Sequence, residues 1–485
     1  MIRPLGAWMR EGPVSSLAPV KSRSRIAARR PSPALLLMAL ALSSCAGERP
    51  VERPPIAAVP QDTARVVESP ALVPVEPVPA PAEEPPPERR REEPVLLEKP
   101  PSVRVLIAGG ARSVKLRIPC AFSIRVDDRA EPLAQLAHGG DFTVRCDRGE
   151  AVLAEGRRRV VSSEAIIVRP ACEGRASVNG KPYRGAFVFM AAAGGINAIN
   201  VLDIDDYIMG VLPSEIGYLK PEQSAAFYAQ AIAARSYALC KIGDRVGEKY
   251  DLNATVTDQV YTGVLGEHEA ASKAVRDTRG YVLSFLGQPV WTYYSACCGG
   301  HTADIRVGWP WKTPYPYLCG VRDTVPGSDG GSLCRESKHF RWRVHWSGTV
   351  LAGILRRTLP AELRIKPREV GALEDIRALG ISPDGRVVGI EIVTDRGVYR
   401  VMGDRVRWVL KPDPGSEAIL RSTLFKMEVT RIGDRVASVD LLGGGNGHGI
   451  GMCQTGAVRM AELGYSPVQI LKHYYPGARI QRLYR

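Results

Sequence analysis

From residue 102 onward, apolar and polar residues alternate in several short stretches. Valine, leucine and isoleucine fill every second position of 103–107 and 114–118, with Gly109 and Gly110 between the two runs. Successive side chains of a strand point to opposite faces, so this period of two predicts β-strands, and we predict that these two strands pair with each other. Further short strands are predicted around residues 142–144, 151–153, 165–168 and 187–190.

A second alternating stretch covers residues 387–439. Turn residues at 384–385, 395–397 and 433–434 predict hairpins in this part of the chain. Helical patterns, in contrast, are grouped at 205–240, at 267–276 and near the C-terminus. Because helices and strands are segregated and do not alternate, the sequence predicts an α+β fold, mostly β with one helical region, and not a βαβ wind.

Two helices are predicted within residues 205–240. Asp205 and Asp206 are suitable caps for the first helix, and Pro213 is predicted to end it because proline lacks an N–H and clashes with the preceding turn. Pro221 is a favoured residue for the first turn of the second helix. Residues 214–217 are therefore predicted to form a short linker that is held at both ends.

One carboxylate, Glu215, lies in this predicted linker. Apolar Leu212, Ile216 and Leu219 flank it. Desolvation among apolar neighbours raises the pKa of a carboxyl group, which is what a proton donor needs near neutral pH. Spacing alone favours a helix-capping or solvent-facing glutamate.

The C-terminal part contains a glycine-rich segment, residues 443–452, followed by two predicted helices. The first helix is predicted from Cys453 to Leu463, and the second begins at Ser466 and continues through Tyr474. Glycines before a helix form either a structural loop or a phosphate cradle. The missing lysine argues against a P-loop.

The N-terminal 45 residues have the pattern of a secretion signal. Arginines precede an apolar run at 34–42, which is too short to span a bilayer, and Leu42 to Cys45 is similar to a bacterial lipoprotein box. We predict that Cys45 becomes the lipidated first residue of the mature protein. Ala46 follows in place of aspartate, which favours an outer-membrane anchor facing the periplasm.

Residues 46–101 are predicted to form a disordered linker, and residues 102–485 a single catalytic domain. The linker is dense in proline, glutamate and arginine, so it cannot bury enough apolar surface to offset the entropy of ordering. It would let an anchored domain reach a substrate away from the membrane, although a passive spacer explains it equally well.

The charge balance does not indicate nucleic-acid binding. The formal net charge is +14, but residues 1–44 hold seven basic residues and one acidic residue, so the remainder carries only +8. No basic patch is interleaved with aromatic residues. A mildly basic body suits an anionic polymer such as cell wall.

The segments that surround Glu215 resemble the stage II sporulation protein D family, whose sporulation and amidase-enhancer members share one domain. The resemblance covers about residues 102–485. The similar blocks, in family order, are Asn200–Tyr207, Gly210–Ile216, Ala229–Ala238, Asp258–Gly263, Cys298–Thr302 and Gly447–Ala457.

This resemblance implies a lytic transglycosylase that cleaves peptidoglycan glycan strands, preferably free of stem peptides. It implies that Glu215 is the catalytic residue and that Tyr261 stacks on a sugar. The residues implied to bind substrate are Arg235, Tyr237, Gln259, Tyr261, His448 and Gln454.

The implied mechanism needs only one carboxylate, whereas ordinary glycoside hydrolysis needs two. Glu215 would protonate the glycosidic oxygen and then accept the proton of the muramic acid C6 hydroxyl, leaving a 1,6-anhydro end. The main alternative is a non-catalytic, glycan-binding enhancer of a cell-wall amidase. An inert wall-binding lipoprotein and a zinc hydrolase are further alternatives.

Nine cysteines remain once Cys45 is assigned to lipid, and they are densest between residues 297 and 334. An extracytoplasmic location permits disulfides, and we predict the pair Cys298–Cys334 and no metal. Some members of the family bind zinc near this segment. Here Cys298, His301 and Cys334 would supply three ligands, with Cys297 or Cys319 as the fourth, so zinc and free thiols remain alternatives.

Overall fold

In a computed structural model, residues 64–66, 96–127, 129, 131–174, 176–245, 247–325 and 330–485 are described. The predicted signal segment and Cys45 lie outside these residues. So does most of the predicted linker. All the elements below belong to the unit that begins at Pro60.

Two sheets pack face to face in the N-terminal part of this unit, and both are antiparallel except for the short parallel pairing of Leu252–Asn253 with Ser102–Ala111. Their inner faces share one core, to which Val103, Val114, Val144 and Phe187 belong. The first sheet contains, in spatial order, Leu252–Asn253, Ser102–Ala111, Gly195–Asp203, Ala186–Ala192, Ile166–Pro170, Phe122–Val126 and Ala134–Leu136. The second contains Lys181–Tyr183, Ala176–Val178, Val114–Ile118, Gly140–Asp147, Glu150–Glu155 and Arg158–Ser162.

The strands Ser102–Ala111 and Val114–Ile118 were predicted to pair, and this prediction is wrong. The first pairs with Gly195–Asp203 in one sheet, and the second pairs with Gly140–Asp147 in the other. Both strands alternate because each turns one face to the shared core from opposite sides. The alternation therefore predicts each strand but not its neighbour.

The described residues contain eight α-helices, and this mixture of sheets and segregated helices confirms the predicted α+β class. They are α1 (Ile204–Ile216), α2 (Ser224–Lys241), α3 (Glu269–Asp277), α4 (Ile305–Gly308), α5 (Gly348–Leu363), α6 (Val406–Val409), α7 (Gln454–Glu462) and α8 (Pro467–Tyr474). Short 3₁₀ turns cover Pro221–Gln223, Gly263–Gly266, Pro316–Leu318, Pro367–Glu369 and Gly403–Arg405. Among the described residues, no helix combines the length and apolar character needed to cross a bilayer.

Helix α2 lies at the centre of the helical layer. It contacts α1, α3, α7 and α8, and six of its seven alanines are fully buried. Small side chains allow this close approach of several neighbours, so the alanine-rich sequence of α2 places it in the core. A three-stranded sheet of Gln288–Pro289, Tyr281–Phe285 and Arg479–Arg482 and a parallel pair, Tyr294–Ser295 with Met452–Cys453, complete this region.

A second hydrophobic core lies between residues 342 and 441, around Trp346, Leu351 and Ile390. One sheet of this part contains Ala64–Val66, Phe425–Ile432, Arg435–Gly443 and Trp342–Ser347. The other contains Leu373–Ala378, Gly389–Thr394 and Gly397–Met402. The hairpins predicted at 395–397 and 433–434 are confirmed, whereas α5 was not predicted.

Candidate active site

Glu215 lies in the last turn of α1 and not in a linker. Asp203 caps the helix, because its Oδ1 accepts a hydrogen bond of 2.7 Å from the N–H of Asp205. The helix continues through Pro213, which was predicted to end it, and stops where Gly217 adopts φ 81° and donates to the carbonyl of Pro213 at 3.0 Å. Pro213 removes one backbone hydrogen bond, and the helix extends only three residues beyond it.

The carboxylate of Glu215 is held by one backbone group and is largely desolvated. Its Oε1 accepts a hydrogen bond of 2.7 Å from the N–H of Val260. Burial raises the pKa of Glu215 to about 7, and the Val260 hydrogen bond only partly opposes this shift. Among the described residues, no other charged group shifts this pKa. The side chain can therefore both donate and accept a proton near neutral pH.

A hydrogen-bonded chain of neutral side chains stands next to Glu215. Tyr207 donates to Oε1 of Gln259 at 3.1 Å, and Nε2 of Gln259 donates to the hydroxyl of Tyr294 at 2.8 Å. Burial, followed by the charge of Glu215, raises the pKa of Tyr294 well above its usual value. Tyr294 thus stays neutral beside the carboxyl group.

Gln259 and Tyr261 were predicted to bind substrate, but the structure corrects both assignments. Gln259 is fully buried, and its amide is engaged by the two tyrosines and by the carbonyl of Ala234. Tyr261 is 4% exposed and donates to Oδ1 of Asn200 at 2.9 Å. Its ring packs on that of Tyr207 with centroids 5.0 Å apart, so it stacks in the core and not on a sugar.

Arg235 is a core residue and not a substrate contact. Its side chain is 0% exposed, and it pairs with Asp205 at 2.7 Å. It also donates to the carbonyl groups of Tyr281 and Val275 at 3.0 and 3.1 Å. A guanidinium whose donors are used internally cannot bind glycan, so Arg235 joins α1, α2 and α3.

Tyr237 is buried as well, although it lies nearer the surface. Its hydroxyl donates to Oδ1 of Asp258 at 3.3 Å, and its ring packs edge-on against Trp291. Asp258 is also paired with Lys241 at 3.0 Å and with Arg245 at 2.6 Å. Burial raises the pKa of Asp258, but hydrogen bonds from Asn253 and Lys241 outweigh it and the net shift is downward. Asp258 therefore stays ionised and cannot donate a proton near neutral pH.

His448 lies in the glycine-rich loop that precedes α7 and keeps part of its surface exposed. Its Nδ1 accepts from the N–H of Ile450 at 3.0 Å, and its ring lies 4.7 Å from that of Trp309. Burial lowers the pKa of His448 to about 4, so the ring is neutral. Gln454 begins α7 with its amide nitrogen buried and without a partner among the described residues. Of the six predicted substrate-binding residues, His448 alone is partly exposed, since Gln454 is only 7% exposed.

Aromatic rings and a lysine form a surface that was not predicted from the sequence. Trp291 and Trp309 are partly exposed on either side of Tyr293. Lys312 donates to the hydroxyl of Tyr293 at 2.9 Å, and its Nζ lies 4.8 to 5.7 Å from the three ring centroids. Through the Trp309–His448 contact this surface continues into the glycine-rich loop. Such rings suit the apolar face of a sugar.

The predicted disulfide Cys298–Cys334 is not present. The two sulfur atoms are 3.6 Å apart and both residues are free thiols. A disulfide requires about 2.05 Å between sulfurs. The structure instead contains a disulfide between Cys120 and Cys172, whose sulfurs are 2.01 Å apart.

The pKa of Glu215 predicts how stability depends on pH. The folded-state pKa of about 7 exceeds the usual 4.5, so the native state holds this proton more tightly than the unfolded chain does. Wild-type stability should therefore decrease as pH rises from 4.5 to 7. Relative to wild type, Glu215→Gln should gain about 3 kcal/mol over this range. Urea unfolding of both proteins at several pH values measures this difference, and parallel pH profiles would contradict it.

Two family models match separate parts of the chain. Residues 192–285 match the family described as stage II sporulation protein (SpoIID), which covers α1, α2, α3 and Tyr281–Phe285. Residues 328–451 match a family described as a domain of unknown function (DUF8618), which covers most of the second core. Glu215 and Val260 therefore lie within the first match.

Three curated relatives extend the similarity beyond these ranges. An uncharacterized protein of Brachyspira hyodysenteriae is 30% identical over 312 residues, which is 63% of this chain and 73% of that protein. The amidase enhancer of Bacillus subtilis is 26% identical over 387 residues, 74% of this chain but only 52% of the enhancer. Stage II sporulation protein D of the same organism is 23% identical over 332 residues, covering 65% and 84% of the two chains. The chain belongs to the stage II sporulation protein D family.

Proposed function

We propose that this protein is a lytic transglycosylase that cleaves the glycan strands of peptidoglycan, with Glu215 as its general acid and base. The observation that carries the proposal is a single carboxyl group whose pKa is raised to about 7 at the end of α1. Hydrolysis by two carboxylates would need a second acid within about 5–9.5 Å of the first. Asp258, two residues before the Val260 that holds Glu215, is paired with Lys241 and Arg245, so its charge is already compensated, which favours a mechanism with one carboxylate.

In the proposed reaction, protonated Glu215 donates its proton to the glycosidic oxygen as the bond from that oxygen to the anomeric carbon breaks. The C6 hydroxyl of the same muramic acid then attacks the anomeric carbon, and the Glu215 carboxylate accepts the hydroxyl proton. The glycosidic C–O bond is replaced by an intramolecular C–O bond, and no water is consumed. Glu215 returns to its protonated state, so one residue serves both steps.

The surroundings of Glu215 support this role. The Val260 N–H fixes the carboxylate, so that Oε2 is the oxygen left for proton transfer. Neutral Tyr294, positioned by Gln259, adds no competing charge. We propose that the surface of Trp291, Trp309 and Lys312 binds the strand, because rings pack on sugar faces and a lysine complements the carboxylate of muramic acid.

The second candidate is a non-catalytic, glycan-binding enhancer of a cell-wall amidase. It is favoured by the similarity to a protein named amidase enhancer. An aromatic surface could bind glycan strands whether or not Glu215 transfers protons. In this case the partners would be peptidoglycan and an amidase.

Product release separates the two candidates. The purified protein is incubated with peptide-free glycan strands, and released sugars are measured with Glu215→Gln as the control. In parallel, a cell-wall amidase acts on intact peptidoglycan with and without the protein. Release that depends on Glu215 supports the transglycosylase. No release, combined with faster amidase action by wild type and variant alike, supports the enhancer and rejects the transglycosylase.

We also propose that Cys45 carries a lipid that anchors the protein at the periplasmic face of the outer membrane. Cys45→Ser should move the protein from the membrane fraction to the soluble periplasm, or leave it with an uncleaved signal, because thioether attachment needs the sulfur. Fractionation with detergent extraction measures this. Membrane partitioning that is unchanged by the substitution would contradict the anchor.

A further inference from the structure

Three buried cysteines and one buried aspartate lie close together at the short parallel pair of strands Tyr294–Ser295 and Met452–Cys453, to which one of the cysteines belongs. They are Cys298, Asp323, Cys334 and Cys453, and one ligand atom from each lies within 4.8 Å of all the others. Each residue comes from a different segment of the chain. All four are inaccessible to solvent, so the cluster is separate from the surface around Glu215.

Two separations between these atoms, both from Cys298, are close to the edges of a tetrahedral metal site. With a metal–sulfur distance of about 2.3 Å, two thiolates of a tetrahedron are about 3.8 Å apart, and a thiolate and a carboxylate oxygen about 3.5 Å. Cys298 Sγ lies 3.6 Å from Cys334 Sγ and 3.1 Å from Asp323 Oδ2. The ligand atoms are therefore already close to the arrangement that an ion would need.

Hydrogen bonds orient the ligands from outside. Cys453 Sγ accepts from the N–H groups of Cys298 and Gly456 at 3.3 and 3.4 Å, an arrangement that stabilises a thiolate. Oδ1 of Asp323 accepts from the hydroxyl of Tyr474 at 2.6 Å, so Oδ2 is turned to the sulfurs. A Cβ at Gly456 would lie 2.4 Å from Asp323 Oδ1, so only glycine fits beside this ligand.

We propose that Cys298, Asp323, Cys334 and Cys453 bind one Zn²⁺ ion in a closed, structural site. Thiolates with one carboxylate are a donor set that zinc accepts, and four buried protein ligands leave no open position for catalysis. The ion would compensate a carboxylate and thiolates that are otherwise costly to bury together. The ion would cross-link the loop that contains Cys298 to Cys453 at the start of α7.

This ligand set differs from the one that the resemblance implied. Nδ1 of His301 is 2.8 Å from the carbonyl oxygen of Thr302, and Cys319 is exposed. Neither belongs to the group of four. The thiol of Cys297 also contacts those of Cys334 and Cys453, but it lies outside the group, and we assign it no coordination.

Metal content tests the site independently of any activity on glycan. The full chain is purified in detergent without chelator, and elemental analysis should find one zinc per chain. Replacement by cobalt should give thiolate-to-metal charge-transfer absorption and the intense visible bands of tetrahedral Co²⁺. Cys334→Ser and Asp323→Asn should lower zinc retention during dialysis at least about tenfold, whereas the exposed control Cys319→Ser should keep one zinc.

Three results would overturn the proposal. The first is natively folded wild-type protein that holds no zinc and gives no thiolate-to-cobalt absorption. The second is a Cys298–Cys334 disulfide found by peptide mapping without reduction. The third is full zinc retention in a folded Cys334→Ser variant. If the variants fail to fold, the cobalt spectrum of the wild-type protein still tests the proposal, because the charge-transfer absorption shows directly whether thiolates bind the metal.

Discussion

Replacing Glu215 by glutamine is expected to reduce the release of anhydro-muramyl products by about 10⁴-fold or more. General acid–base catalysis contributes about 10²–10⁴-fold for one proton transfer, and Glu215 is proposed to carry both transfers. Glutamine keeps the size of the side chain and can accept the hydrogen bond from Val260. Chromatography of products from peptide-free glycan strands measures the rate, and sedimentation with the strands should show that binding survives.

The matched control is Glu222→Gln, which removes an exposed carboxylate from the turn before α2. It should leave the rate unchanged. Wild-type activity should also decrease above about pH 7, because the acid must be protonated and the pKa of Glu215 is about 7. Near wild-type release from Glu215→Gln would remove Glu215 from the mechanism.

Replacing Arg235 by alanine is expected to lower the free energy of unfolding by about 3–5 kcal/mol. Removing one partner of a buried ion pair leaves the other charge uncompensated, and that cost is of this size. Asp205 would keep only the hydroxyl of Tyr484 at 3.0 Å and the partly exposed Arg279 at 3.2 Å. Urea unfolding followed by circular dichroism measures the loss.

Arg276→Ala is the control for this prediction. Arg276 pairs with Glu269 on the surface of α3, where both side chains are more than half exposed. A pair of this kind contributes under about 1 kcal/mol. Equal losses from the two variants would contradict the structural role of the buried pair. A glycan-binding defect in a stable Arg235→Ala protein would mean that Arg235 does contact substrate.

The sequence predicts the positions of the β-strands better than it predicts which strands pair with each other. Alternation identified the strands at 103–107 and 114–118, because side-chain periodicity is a local property. Which strand lies beside which depends on residues far along the chain, and the pairing was therefore wrong. Local signals are not decisive either. Pro213 indicates a helix end, yet α1 continues through it. Leu351, Ile354, Leu355 and Leu359 after the Ser347 cap have the spacing of a helix, and α5 forms there.

For the candidate site, the type of a residue indicates what its side chain could do chemically, but it does not indicate whether the folded protein exposes that side chain. Glu215 was predicted to have a raised pKa from its apolar neighbours, and burial does raise it to about 7. Arg235, Gln259 and Tyr261 carry groups that could bind sugar, yet tertiary packing uses those groups inside the protein. The tertiary fold brings Asp323 close to three cysteines from separate segments, and spacing along the chain does not reveal this proximity.

The most direct test is the chemical nature of the ends that wild-type protein produces. Peptide-free glycan strands are incubated in ¹⁸O-labelled water with the wild-type protein or with the Glu215→Gln variant. The products are then analysed by mass spectrometry. We predict that the wild-type protein produces muramyl ends that are lighter than hydrolysis products by the mass of one water molecule and that carry no ¹⁸O label. The variant should produce no such ends. Reducing ends labelled with heavy oxygen, or unchanged strands with wild type, would contradict the proposed reaction.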